Sequence, residues 1–184
     1  MSNVIRPPHS QHPAIPTRGL MRAPPQNRYA AFFETVIRYL GGLLSAYALS
    51  QDPILLMRAD DLGIALLPAF DTPSGLPMYS VNPVTGKGAQ GWVGGSTILS
   101  EALSCQLEYK YLAYLTGRTQ YYAAVEKIMN IMYTEDWSWS KNLLPTMFNT
   151  QTGSPSSSMS SRLGLVDVLT DSVHRNALCG SVCG

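Results

Sequence analysis

The chain has 184 residues, of which 45% are hydrophobic and 14% are charged, and its formal net charge is +1. This length and composition suit one domain of ordinary size with a buried core. The near-neutral charge gives no electrostatic reason to expect nucleic acid or an acidic membrane surface as a partner. No apolar run reaches the roughly 20 residues of a membrane-spanning helix, so the sequence predicts no membrane segment.

The head of the chain, residues 1–27, is rich in proline, histidine, arginine and serine and shows no helical or strand period. Such a composition predicts disorder. The head has arginines but no apolar core of a signal peptide, so we expect no signal peptide in the chain as it stands. His9 and His12 lie here, and two histidines in such a tail are more often solvated than bound to a metal.

The stretch FFETVIRYLGGLLSAYALS predicts the first helix, at about residues 29–49. Its apolar side chains recur at three- and four-residue steps, which is typical of a helix with one buried face. The predicted buried stripe consists of Phe33, Ile37, Leu40, Leu44 and Tyr47.

A second face of this helix carries an acid, a base and then small residues: Glu34, Arg38, Gly41 and Ser45. The glycine pair in the helix should cost roughly 1 kcal/mol per residue relative to alanine, so it predicts close helix packing or room for a ligand. One interpretation of the acid and the base is an ordinary ion pair on a solvated face, contributing roughly 0.2–0.5 kcal/mol. The other is a functional site, which the glycines and a similar acid on the third helix, Glu101, favour.

A second helix and a long loop follow. Asp52 and Pro53 predict the N-cap and the first turn of the helix, and Pro68 predicts its end. Residues 69–95 predict a long loop rich in glycine and proline, with a short strand at MYSV. Loops of this length in compact domains are usually functional or disordered.

Two more helices complete the ordered part. The third is predicted from about 97 to 116, with Gly117 as its C-terminal stop, and the fourth begins with Thr119 as its cap. The predicted buried faces are Ile98, Leu99, Ala102, Leu103, Leu107 and Leu112 in the third helix, and Tyr121, Val125, Ile128, Met129 and Met132 in the fourth.

The two helical hairpins have the same layout, which indicates an internal repeat of about 60 to 70 residues whose hairpins need neighbours to cover them. After them, LLPTMFNTQTG predicts an extended piece closed by a turn. We therefore divide the chain into a disordered head at 1–27, a helical domain at 28–153 and a serine-rich, irregular tail at 154–184.

Most familiar kinds of site find no support in the residues. Cys105, Cys179 and Cys183 are odd in number, and the last two have no partner pair, so neither a disulfide framework nor a zinc site is predicted. The glycine-rich GKGAQGWVGG does not match a phosphate-binding loop. His174, in the tail, completes no convincing Ser-His-Asp set. Carboxylates within apolar helical patterns remain as the candidates.

Four blocks of the sequence resemble the class I α-1,2-mannosidases, glycoside hydrolase family 47. They are FFETVIRYLGGLLSAYALS, DDLGIALLPAFDTPSGLPMYSVNPVTGK, GGSTILSEALSCQLEYKYLAYLTG and LLPTMFNTQTG, in the family's order and spacing, and together they cover about residues 29–153. The branch resembled is the fungal-type one that trims oligosaccharides. The resemblance implies an all-α fold: part of an (α/α)7 barrel, with about two of its seven hairpins.

The resemblance also implies a function, which is the inverting hydrolysis of α-1,2-linked mannose in high-mannose N-glycans. Glu34 matches the family's proton donor, Arg38 matches an arginine that contacts the sugar beside the scissile bond, and Glu101 matches a carboxylate that binds sugar hydroxyls. Calcium is the family's expected cofactor, but its binding residue has no match in this chain, so we assign no metal ligand. The family also implies the secretory pathway, in the endoplasmic reticulum or Golgi.

The chain departs from the family's pattern near its end. LTDSVHRNAL matches the next catalytic motif in part, which assigns Asp171 as a catalytic residue although Leu169 replaces the motif's arginine. No residue matches the water-activating carboxylate, and an inverting glycosidase needs both an acid and such a base. We therefore expect a fragment that is inactive alone. The alternatives are a glycan-binding piece and a helical-repeat interaction module.

Overall fold

The computed structural model describes residues 26–134, 144–156 and 162–163. Two helical hairpins, joined by short strands, make up most of these residues. In the described part of the chain, no helix is both long and apolar enough to cross a membrane. Helix α1 has three consecutive parts: an α-helical turn at Phe32–Thr35, a π-helical turn at Val36–Leu40 and an α-helix at Gly41–Ser50. Helix α2 is Pro53–Leu66 and is followed by a 3-10 turn at Leu67–Phe70. The second hairpin contains α3 (Leu99–Leu103), α4 (Gln106–Thr116) and α5 (Thr119–Thr134).

The predicted ends of the helices are largely confirmed. The Asp52 side chain accepts a hydrogen bond of 3.0 Å from the Ile54 N–H, and Pro53 is the first residue of α2. Gly117 ends α4 in the left-handed conformation (φ 71°), which glycine adopts without a steric penalty. The prediction for Thr119 is wrong by one position, because this residue is the first of α5 and not the cap before it.

The π-helical turn changes which face of α1 is buried. The predicted stripe is confirmed at Leu40 and Leu44 but wrong before them, since Ile37 is 37% exposed and Phe33 is only partly buried. A π turn holds more residues than an α turn, so side chains four residues apart stay on one face. The residues actually buried along α1 are Phe32, Val36, Leu40 and Leu44.

The predicted third helix is interrupted. Its first residues form strand β4, Ser96–Ile98, and the helix breaks between α3 and α4. The break changes the phase of the helical repeat, so Leu107, predicted as buried, is 76% exposed. The predicted face of the fourth helix is confirmed in full, since all five of its residues are buried in α5.

Short antiparallel strands connect the helices. Strands β1 (Ala30–Ala31), β2 (Ser80–Val81) and β3 (Gly88–Ala89) form one sheet, which confirms the predicted strand at MYSV. Strand β4 pairs with β6 (Met147–Asn149), and β5 (Leu144–Pro145) pairs with β7 (Arg162–Leu163). The extended piece predicted at LLPTMFNTQTG is therefore also confirmed, and its closing turn has a 2.8 Å hydrogen bond from the Gly153 N–H to the Asn149 carbonyl.

Four aromatic rings join the two hairpins in the core. Phe70 meets Phe32 edge-on, with ring centroids 5.0 Å apart, and meets Tyr109 edge-on at 5.5 Å. Tyr109 in turn meets Tyr121 at 5.7 Å. These rings come from α1, the end of α2, α4 and α5, so each of the four long helices contributes to one aromatic cluster.

The closest approach between the hairpins lies on α2 at Gly63. A Cβ atom there would be 2.5 Å from Leu112 Cδ2 and 3.3 Å from the Tyr121 ring. The Tyr109 hydroxyl donates to the Gly63 carbonyl at 3.2 Å, and the Tyr121 hydroxyl donates to Asp60 Oδ1 at 2.7 Å. Only glycine therefore fits at this position without displacing its neighbours.

We predict that Gly63→Ala destabilises the protein. Overpacking costs about 1–3 kcal/mol, which exceeds the gain of about 1 kcal/mol that alanine brings in helix propensity. Gly42→Ala is the matched control, because no atom lies within 4 Å of its added Cβ and only the propensity gain remains. The midpoint of urea unfolding, followed by far-UV circular dichroism, should fall for the first variant and rise for the second. Equal shifts would contradict the packing at Gly63.

Candidate functional site

Two glutamates occupy equivalent places in the two hairpins. Glu34 lies in the first turn of α1, directly after strand β1, and Glu101 lies in the first turn of α3, directly after strand β4. Each strand pairs with a neighbour from another part of the chain, which holds the start of the following helix. The Thr35 hydroxyl adds a 2.6 Å hydrogen bond to the Ala31 carbonyl. Both acids thus stand on anchored helix starts.

The two carboxyl groups act on each other. Burial, and secondarily the negative charge of Glu34, raise the pKa of the Glu101 carboxyl above its ordinary value. The charge of Glu34 thus acts on the carboxyl of Glu101, and the assignment of the two residues to one site stays a prediction. A nearby negative charge and burial both disfavour the ionised form of a carboxyl, so they act on Glu101 in the same direction.

Arg38 forms an ion pair with the first of these acids, through its Nε atom and Glu34 Oε2. The side chains of Arg38 and Glu34 are 69% and 46% exposed. The predicted i,i+4 ion pair is thus confirmed, and an exposed pair of this kind adds little stability. Its exposure also leaves both side chains accessible to a ligand. The ion pair by itself does not distinguish an ordinary surface pair from a ligand-binding site. The additional feature is Glu101, whose pKa the charge of Glu34 helps to raise.

The π-helical turn at Val36–Leu40 includes Arg38 and was not predicted. Turns of this type inside α-helices are frequent at functional sites. The four-residue spacing of Phe32, Val36 and Leu40 is the signal that could have revealed it, since an α-helical stripe alternates steps of three and four.

The two glycines that follow have different explanations. A Cβ atom at Gly41 would lie 3.3 Å from Oε1 of Glu108, so this glycine allows α4 to approach α1 closely. Gly42 has no such neighbour and faces open space. Burial raises the pKa of Glu108. The sequence interpretation missed this residue. It follows Glu101 by seven positions, which would be one face of an unbroken helix, but the break before α4 lies between the two.

Several other predicted residues cannot be placed relative to this site, because the structure does not describe them. Asp171 lies outside the described residues, as do His9, His12 and His174. Cys105 is buried, and burial raises the pKa of its thiol well above the ordinary value, which makes it unreactive.

The described residues contain no cluster of the side chains that most often bind metals. Within residues 26–134 and 144–156, no group of three or more histidine, cysteine, aspartate or glutamate side chains could hold a metal ion. Calcium also binds backbone carbonyl, side-chain amide and water oxygens, which such a group does not include. Calcium remains a prediction from the resemblance, and no chemical step is assigned to it.

Comparison with known sequences identifies relatives. The profile of Glycosyl hydrolase family 47 matches residues 23–175. A mannosyl-oligosaccharide alpha-1,2-mannosidase IA from Spodoptera frugiperda is 44% identical over 122 residues, which are 66% of this chain and 18% of that protein. The human mannosyl-oligosaccharide 1,2-alpha-mannosidase IB is 40% identical over 129 residues, which are 69% of this chain and 20% of that protein. The chain thus spans about a fifth of the length of these curated relatives.

Comparison with solved structures gives the same picture. The alpha-1,2-mannosidase from Trichoderma reesei superposes with a TM-score of 0.60 and 32% sequence identity. The superposition covers 71% of this chain and 29% of that structure. The predicted fold class, an all-α fold that forms part of an (α/α)7 barrel, is confirmed.

We predict that Glu34→Gln lowers the pKa of Glu101. The variant removes the negative charge that opposes ionisation of Glu101, while the burial that also raises this pKa remains. The pKa should therefore fall but stay above the ordinary value. Titration of 13C-labelled glutamate side chains by NMR measures it, and Glu126→Gln, in α5, is the control that should leave it unchanged. An unchanged pKa in Glu34→Gln would show that the two carboxyls are not close.

We also predict a pH-dependent effect of Glu101→Gln on stability. The pKa of Glu101 is raised in the folded state, so folding opposes the ionisation of this carboxyl. The free energy of unfolding should therefore fall as the pH rises from about 4, the ordinary glutamate pKa, through the raised pKa. Glutamine does not ionise, so the variant should gain stability relative to the wild type over this range. Urea unfolding midpoints between pH 4 and 7 test this. A difference that does not vary with pH would contradict it.

Proposed function

The chain belongs to glycosyl hydrolase family 47, and from this membership we propose that it recognises α-1,2-linked mannose in high-mannose N-glycans. It also contains the general acid, the residue that gives a proton to the glycosidic oxygen during hydrolysis. The observation that supports this most is that Glu34 and Glu101 occupy equivalent helix starts in the two hairpins and that the charge of Glu34 helps to raise the pKa of Glu101. A glycosidase site needs carboxyl groups that bind hydroxyls and supply a proton. This pair, with Arg38 beside it, has the chemistry for both.

Each of the three residues has a proposed role. Glu34 donates its proton to the glycosidic oxygen as the bond from that oxygen to the anomeric carbon breaks. Arg38 orients the Glu34 side chain and donates hydrogen bonds to the sugar on the leaving side. Glu101 accepts hydrogen bonds from sugar hydroxyls. In an inverting reaction, water attacks the anomeric carbon from the opposite face and gives its proton to a second carboxylate. Asp171 remains the predicted further catalytic residue.

We expect the 184-residue chain to bind oligomannose without releasing mannose. Its sequence supplies the acid and the sugar-binding groups, but no residue is matched to the water-activating carboxylate. Hydrolysis by inversion requires both carboxyl groups. Glycan binding without turnover is therefore the activity proposed for the chain alone.

We further propose that the chain acts in the secretory pathway. Human and Schizosaccharomyces pombe relatives, 44% and 43% identical over the matched residues, are named endoplasmic reticulum mannosyl-oligosaccharide 1,2-alpha-mannosidases. N-glycans are presented to such enzymes in that compartment. The proposed substrate and the proposed location therefore agree.

The decisive experiment measures binding and mannose release together. The purified chain is titrated calorimetrically with an α-1,2-linked oligomannose, and released mannose is assayed with calcium present. Arg38→Ala should weaken binding about tenfold or more, since a hydrogen bond from a charged group contributes about 1.5–3 kcal/mol. Glu34→Gln should also weaken binding.

Arg58→Ala is the matched control, because Arg58 forms a helix-surface ion pair of its own with Asp61, on α2. This variant should bind as the wild type does. Absence of oligomannose binding by the wild type would overturn the proposed function and favour a helical-repeat interaction module. Mannose release by the wild type, abolished in Glu34→Gln, would show instead that the chain completes its own catalytic site.

A further inference from the structure

Helix α3 carries Glu101 but has little local support of its own. It has five residues, Leu99–Leu103, and a helix this short is not stable by itself. The residue before it, Ile98, makes no side-chain capping bond to the first turn. The position of Glu101 is therefore set by the segments of chain that precede and flank the helix.

The pairing of β4 with β6 supplies this support. The two strands pair at three positions. One further backbone bond, 2.8 Å from the Leu99 N–H to the Thr146 carbonyl, continues the pairing into the first residue of α3. Glu101 lies two residues further along. A slip of one residue would turn every side chain of β4 to its other face, so the register of this pairing determines where Glu101 lies.

Thr150 closes the opposite end of the same pairing. Its N–H and its hydroxyl both donate to the Gly95 carbonyl, each at 2.9 Å, directly before β4 begins. Its own carbonyl accepts a 2.7 Å hydrogen bond from the Ser74 hydroxyl, in the long loop after α2. Thr150 is 2% exposed, so these bonds are shielded from water. One buried residue thus ties the turn after β6 to β4 and to the loop.

The Thr150 hydroxyl distinguishes one register from its neighbours. Backbone bonds can form in any register, because every residue except proline has the same N–H and carbonyl groups. The hydroxyl bond forms only when Thr150 lies opposite Gly95. A slip of one residue would place Asn149 or Gln151 there, and neither has a hydroxyl.

We propose that Thr150 is a positioning residue for Glu101: its hydroxyl bond to the Gly95 carbonyl fixes the register of β4 and with it the place at which Glu101 accepts hydrogen bonds from sugar hydroxyls. This inference rests on the proposed function. The other acid has a local equivalent, since the Thr35 hydroxyl, next to Glu34, donates to a carbonyl of β1. Thr150 acts in the same way from a turn 55 residues after Gly95.

Thr150→Val tests the proposal, because valine has nearly the same shape and lacks the hydroxyl. The pKa of Glu101, measured by 13C NMR, should fall towards its ordinary value, since burial is the main cause of the rise and a less fixed α3 exposes the carboxyl to water. Oligomannose binding should weaken by up to about tenfold, because the ligand must restore an arrangement that a neutral hydrogen bond no longer stabilises. Thr150→Ser keeps the hydroxyl and should restore both properties.

Thr116→Val is the matched control. The Thr116 hydroxyl donates a 2.7 Å hydrogen bond to the Leu112 carbonyl, which is a bond within one helix that joins no strand. This variant should lower stability without changing the pKa of Glu101. Amide hydrogen exchange at Leu99 reports on the strand pairing directly, and it should become faster in Thr150→Val and stay unchanged in the control.

Ser74→Ala gives a second test if Thr150→Val does not fold. It removes the hydrogen bond to the Thr150 carbonyl and leaves the Thr150 hydroxyl in place. The turn after β6 is then held less firmly. The pKa of Glu101 should therefore shift in the same direction as in Thr150→Val, by a smaller amount.

The outcomes separate the two proposals. An unchanged pKa of Glu101 in Thr150→Val, or in Ser74→Ala where the first variant does not fold, would overturn the positioning role whatever happens to stability. An equal fall in Thr116→Val, or no recovery in Thr150→Ser, would overturn it too. Absence of oligomannose binding by the wild type would overturn the proposed function instead. The pKa measurement uses no sugar, so the two failures are distinguishable.

Discussion

The close contact of α2 with α4 and α5 at Gly63 is the constraint on which the arrangement of the two hairpins depends. The absence of a side chain lets Leu112 and the Tyr121 ring approach the α2 backbone, and the Tyr109 hydroxyl then reaches the Gly63 carbonyl. The same approach closes the aromatic cluster, whose first ring, Phe32, lies at the start of α1. Because α1 and α3 begin at strands that flank this core, the packing at Gly63 also positions the candidate site.

The site itself is built from groups that add little to stability. The ion pair of Glu34 with Arg38 is open to solvent, and the neighbouring Glu101 is held with a raised pKa by burial and by a like charge. Glu108 adds a buried oxygen without a partner among the described residues. A fold selected for stability alone would avoid these costs. These groups lie on α1, α3 and α4, and together they make up the candidate site and its surroundings.

The interpretation of the sequence succeeded where local chemistry decides the structure. Asp52 and Gly117 each act within one turn of their own helix, and both were predicted. It failed where a helix departs from the regular period. The π turn moved the buried stripe of α1 away from Ile37, and the break before α4 exposed Leu107. Neither departure has a proline or glycine at its centre to reveal it.

The sequence by itself determined the helical hairpins, the candidate carboxylates and the family, because periodicity, capping and motif order are properties of the chain. Only the tertiary structure decided that the charge of Glu34 acts on Glu101, that Gly41 makes room for Glu108 and that Gly42 does not. These facts join residues of different hairpins, whose separation depends on packing at Gly63. Distances between helices follow from such contacts, and no local pattern of residues records them.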